Sequence, residues 1–214
     1  MSAIERRYTP NVEIREAGGE KFIVGYASVF YVAGEEGTEY QLFPDLKERI
    51  MPRAFNRALN EKHNAAALFN HDPNMVLGRV ASKTLKLAKD QRGLKYEVKP
   101  PSTRADVVEL IERGDVTGSS FGFRVLEQKF HTEKDEDGNP YDVREIHSVE
   151  LLDVSAVLNP AFGATSVGIR SDVDAIEARS SYDTWKAEQR AELDKAAALK
   201  DKLRAIAERA AAVQ

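Results

Sequence analysis

The stretch "GDVTGSSFGFRV", residues 114–125, sets Ser119 and Ser120 between glycines, where a polar loop meets the alternating Phe121-Gly122-Phe123 run. A hydroxyl at such a junction is either a turn cap or a nucleophile. Serine is a poor nucleophile at neutral pH unless a base lies within hydrogen-bond reach and an orienting group stands behind that base. Four histidines can be that base: His63, His71, His131 and His147. His63, at the end of a polar helical segment, and His131, at the polar end of a strand, read as surface residues. His71 follows the apolar run "AAALFN" and precedes Asp72-Pro73, so a rigid strand delivers it to a turn. His147 alternates with Ile146 and Val149 and can face either side of its strand.

The acids of interest are Glu150 and Asp153 in "SVELLDVSAV". Regular alternation puts Glu150 and Leu152 on one face, and Leu151, Asp153 and Ser155 on the other. A carboxylate among Leu, Val and Ala is costly to bury unless something pairs with it. Asp153 therefore needs a partner, either a histidine N–H or one of Arg79, Arg124 and Arg144. On the residues alone, a Ser-His-Asp arrangement and a plain ion pair both stay open. A metal site built on His63, His71 and Asp72 is the weaker reading: there is no HExxH or other tight ligand pair, and Asp72 points away from its neighbour on a strand. No metal is expected.

These residues must be positioned by a strand-rich chain. "NVEIRE" and "KFIVGYASVF" read as strands around a Gly18-Gly19 turn. "MPRAFNRALNEK" reads as a short helix, with Pro52 in its first turn and Ala54, Phe55, Ala58 and Leu59 at helical spacing. "MVLGRVASKTLKLAKDQRGLKYEVKP" gives further strands turning at Asp90 to Gly93. "STRADVVELIERGD" predicts a helix capped by Ser102 or Thr103, striped by Val107, Leu110 and Ile111 and ended at Gly114. Two long strands, "SFGFRVLEQKFHTE" and "YDVREIHSVELLDVSAV", are joined through "DEDGN", and "LNPAFGATSVGIR" closes the strand-rich part.

The 214 residues, 42% of them hydrophobic, suffice for one domain with a core plus an appendage. A net charge of -4 gives no broad basic field for nucleic acid or an anionic membrane. With no cysteine, disulfides, thiolate metal sites and cysteine nucleophiles are excluded, which leaves an oxygen or a lysine. No apolar leader or membrane-length apolar run is present, so a cytoplasmic protein is expected. From about Ser171 glycine disappears and Ala, Glu, Lys, Arg and Leu dominate. Positions 182, 185, 189, 192, 196, 199, 203, 206, 210 and 213 keep a three-four spacing, interrupted by polar Gln189 and Glu192. Domains 1–170 and 171–214 follow. The second is an amphipathic helix that either packs on its own domain or forms a short coiled-coil arm for a partner.

In order, "ERIMPRAFNRAL", "LFNHDPNMVLGRV", "RGLKYEVKPP", "LIERGDVTGSSFGFRV" and "VELLDVSAVLNPAFGAT" resemble the successive blocks of the prohead (procapsid) maturation proteases of tailed bacteriophages, over roughly residues 20–170. Any one block is weak, and their order and spacing carry the resemblance. It implies a serine endopeptidase related to herpesvirus assemblins. The fold would be α+β, a compact, mostly antiparallel β-barrel surrounded by a few helices, with the C-terminal helical arm added.

Carried onto this chain, the resemblance implies His71 as the histidine and Ser120 as the serine. Asp153 stands where the family commonly has glutamate, which leaves Glu150 as the alternative third member. Backbone N–H groups or Arg124 would hold the oxyanion. No cofactor is implied. The implied partners are the phage scaffold or major capsid precursor, cleaved along with the protease itself in the host cytoplasm, inside the assembling procapsid. Self-association through the C-terminal helix is a further expectation. The alternative from another class is a catalytically inactive scaffold or capsid-assembly module of the same fold.

Overall fold

The protein's computed structural model describes residues 4–60, 64–158 and 176–211. Eleven strands and three α-helices occur among them. In chain order they are β1 (Glu5–Pro10), β2 (Val12–Ala17), β3 (Glu20–Val29), β4 (Tyr40–Phe43), β5 (Leu46–Ile50), α1 (Asn56–Asn60), β6 (Ala66–Phe69), β7 (Asp72–Arg79), β8 (Leu85–Lys89), β9 (Gly93–Val98), α2 (Ala105–Glu112), β10 (Gly118–Lys134), β11 (Pro140–Val157) and α3 (Ile176–Ala211). The chain separates into two compact units, Met1–Glu177 and Ala178–Gln214.

In the first unit, β1, β10, β11, β5 and β4 lie side by side in one sheet, and β6 joins β11 and carries β7. A second sheet runs β2-β3-β9-β8. The α+β class is as expected; among the described residues the ladders form these two sheets, and they trace no closed barrel. The frame is the β10–β11 hairpin, whose antiparallel register puts Ser120 opposite Ser155 and Gly122 opposite Asp153. On its other edge β11 has two parallel partners, β5 along Asp142–Ile146 and β6 along Asp153–Ala156. β11 is long enough to serve both because strand residues rise about 3.3 Å each.

Alternation decides what is buried. Phe121 and Phe123 project to the core, stacked at 4.6 Å between centroids, and Phe121 meets Phe55 edge-on at 5.4 Å. Ala54, Phe55 and Ala58 are buried as their helical spacing requires, although α1 proper begins only at Asn56. The expected Ser102 or Thr103 cap is not made. Ser102–Arg104 form a 3-10 turn, Arg104 takes the cap position of α2, and no side chain caps that helix. The "LNPAFGATSVGIR" segment lies, apart from Leu158, outside the described residues.

β5 is not among the expected strands, because Glu48 and Arg49 interrupt its apolar pattern. Both are buried, and each is paired. Glu48 belongs to a neutral quartet in which Arg7 bonds Glu5 (2.6 Å) and Glu48, while Arg144 bonds Glu5 (2.7 Å) and Glu48 (2.7 Å). All four side chains are at most 1% exposed. Burial alone would lower the Arg7 pKa; the Glu48 and Glu5 carboxylates outweigh it and hold the pKa above its usual value. Removing one member leaves an uncompensated buried charge, which costs about 3–5 kcal/mol. Glu48→Gln is therefore expected to lower Tm by about 6–20 °C in a calorimetric or circular-dichroism melt.

Candidate active site

His71 is delivered by a tight turn. β6 and β7 are antiparallel, with Phe69 opposite Asp72, so Asn70 and His71 are the two turn residues, at φ 53° and 59°. Two successive left-handed residues suit the right-handed twist of a hairpin, and asparagine is favoured at the first. Histidine at the second is strained, a departure that clusters at functional sites. The turn is tied to the end of β11, where Asn70 N donates to Ala156 O (3.0 Å) and Asn70 Oδ1 accepts from Leu158 N (3.0 Å). The imidazole is thereby set over the β10–β11 ladder.

There His71 Nδ1 lies 2.6 Å from Asp153 Oδ1, and Nε2 lies 2.7 Å from Ser120 Oγ. The His71 and Asp153 side chains are only 4% and 12% exposed, so the pair is shielded from water. With Asp153 ionised, Nδ1 must carry a hydrogen to donate, which leaves the Nε2 lone pair to accept from the serine hydroxyl. Ser120 Oγ has a second acceptor, the backbone carbonyl of Arg7 at 2.9 Å. One hydroxyl hydrogen cannot serve both. A neutral imidazole takes it, whereas an imidazolium donates through Nε2 to Oγ and sends the hydroxyl hydrogen to the Arg7 carbonyl.

Ser119 points the other way. It is fully buried, its Oγ donates to Asn11 O (3.1 Å), and it lies 3.0 Å from the Tyr96 hydroxyl of the second sheet. Burial pushes the Tyr96 phenol up, so that phenol stays neutral beside Ser119. Ser119 thus joins the two sheets, and successive side chains on a strand face opposite ways, which turns Ser120 out to His71.

The acids divide through a bulge. Gly122 opposes Asp153 but Phe123 opposes Leu151, so Leu152 is an extra residue on β11. Strict alternation separates Glu150 from Asp153; the bulge places both on the Ser120 face, in different rows. Glu150 is half exposed and accepts from Arg124 Nη1 at 3.0 Å. It does not reach His71, and Asp153 does. Arg124 stands four residues along from Ser120, about 13 Å by strand rise, with its guanidinium on Glu150. An oxyanion role for Arg124 would require that guanidinium to leave Glu150.

Gly122 makes room for Asp153, since a Cβ there would run into Asp153 Oδ2. Gly122→Ala is expected to displace the carboxylate and lower turnover about 100-fold with a small effect on Tm, because misplacement of about 1 Å costs that much. Steady-state kinetics and a melt of the same preparation check it.

The other described histidines are engaged elsewhere. Arg53 Nε donates to His147 Nδ1 (3.0 Å) while Nε2 faces Glu145 (2.9 Å), and His131 Nε2 faces Glu133 (2.8 Å). His63 lies outside the described residues. Asp72 Oδ1 accepts from the backbone and side-chain nitrogens of Asn74, so it closes a local turn and does not join His71. Sequence reasoning missed the Arg7 carbonyl and the work of Gly122. A glycine inside a strand was a usable signal, because it marks close approach; a backbone carbonyl on another strand leaves none.

No curated protein and no solved structure matches this chain. A family model does, that of the caudovirus prohead serine protease, over residues 10–179, a span that holds His71, Ser120 and Asp153. With four-fifths of its length inside that match, the chain belongs to the caudovirus prohead serine protease family.

Proposed function

We propose that the chain is an active serine endopeptidase that cleaves the phage scaffold or capsid precursor, and itself, during procapsid maturation. The observation that carries this reading is the unbroken chain Ser120 Oγ to His71 Nε2 (2.7 Å) and His71 Nδ1 to Asp153 (2.6 Å). Ser120 Oγ attacks the scissile carbonyl as His71 takes its proton at Nε2. Asp153 holds the reactive tautomer and stabilises the imidazolium. The tetrahedral intermediate collapses when His71 returns that proton to the leaving amine, giving an ester on Ser120. Water, deprotonated by the same nitrogen, then hydrolyses the ester. With Arg124 engaged by Glu150, backbone N–H groups are left to hold the oxyanion.

The chemistry asks for no cofactor. Among the described residues no helix is long and apolar enough to cross a membrane.

In the second unit α3 is 36 residues long, about 54 Å at 1.5 Å per residue. Leu199, Leu203 and Ile206 stand 58%, 58% and 63% exposed at three-four spacing. This stripe is the feature on which we place docking to a helical scaffold segment, with pairing to a second copy as the competing arrangement. Incubating the chain with its capsid precursor and weighing both by intact-mass spectrometry tests the function. Discrete fragments of the precursor, together with a shortened chain, are expected. Two unchanged masses would favour the inactive assembly module.

A further inference from the structure

Ser155 is fully buried, and in the ladder it stands directly opposite Ser120. Its Oγ donates to Asp153 Oδ1 at 2.7 Å and lies 3.3 Å from His71 Nδ1. The same carboxylate oxygen therefore receives two donors, the imidazole N–H and this hydroxyl. The other oxygen, Oδ2, rests over Gly122, where no side chain intrudes. A carboxylate on one rotatable bond would otherwise turn freely; here one oxygen is keyed and the other is given clearance. Val154 and Ala156 beside Ser155 are also fully buried, so its hydroxyl has no water to satisfy it.

We infer that Ser155 is a positioning residue, whose hydroxyl fixes the Asp153 oxygen presented to His71 and, through it, the tautomer that accepts the Ser120 proton. The inference rests on the peptidase reading above. A residue that holds a catalytic group in its productive geometry matters because a misplacement of about 1 Å costs on the order of 100-fold.

Ser155→Ala is expected to lower kcat about 10–100-fold at unchanged KM, with Tm held within a few degrees. In an Asp153→Asn background the same change is expected to cost less than about twofold, since Ser155 acts through that carboxylate. Proton NMR gives a readout independent of turnover: the downfield His71 Nδ1–H resonance is expected to shift or broaden in Ser155→Ala. Full activity in Ser155→Ala, or an equal loss in both backgrounds, overturns the inference. If the wild type cleaves nothing, the peptidase reading fails by itself, and the NMR signal still decides whether Ser155 holds the pair: an unmoved resonance overturns it.

Discussion

Ser120→Ala is expected to abolish peptide-bond hydrolysis, lowering kcat by about 10^4- to 10^6-fold. Among the described residues, alanine removes the only oxygen within reach of His71 Nε2 that can attack a carbonyl, and Ser119 cannot substitute because it faces the second sheet. The fold should survive, since Ser120 sits in a ladder held by backbone bonds and alanine fits a serine site. Turnover of the capsid precursor, set beside a melting curve, separates a missing nucleophile from an unfolded chain.

Asp153→Asn is expected to lower kcat by about 10^4-fold while leaving the site's shape intact. An amide can turn its nitrogen toward His71 Nδ1. That favours the tautomer with hydrogen on Nε2, which has no lone pair left for the Ser120 proton. The control is Glu150→Gln, expected to stay within about threefold of wild type, because Glu150 is half exposed on Arg124 and such pairs are worth little. A large loss in Glu150→Gln with an active Asp153→Asn would reverse the assignment of the acid.

Much of this was legible in the residues. Phe121-Gly122-Phe123 announced a strand with one apolar face, and the polar loop before it announced where that strand begins. The "AAALFN" run ending at His71 showed a buried strand that delivers a side chain to a turn. What hid was whatever depends on register. The extra Leu152 in β11 brings Glu150 onto the face that alternation gave to Asp153 alone, and a bulge of one residue leaves no mark in a run of Leu and Val. Likewise Glu48 and Arg49 obscured β5, because their charges are met by residues outside that strand, Arg49 by Glu39 and Glu133 and Glu48 by Arg7 and Arg144. Glu5 and Arg7 lie about forty positions before Glu48, and Arg144 lies almost a hundred after it. Ser155 was placed on the Asp153 face by alternation, yet its bond to the carboxylate shows only in three dimensions.

The most direct test of Ser120 as the activated nucleophile is to treat the chain with a fluorophosphonate in a preparation that cleaves its capsid precursor, and to map the adduct by peptide mass. A single adduct on Ser120, lost in His71→Ala and accompanied by loss of cleavage, is the expected result. An adduct on another residue, or undiminished cleavage with Ser120 unmodified, would contradict it.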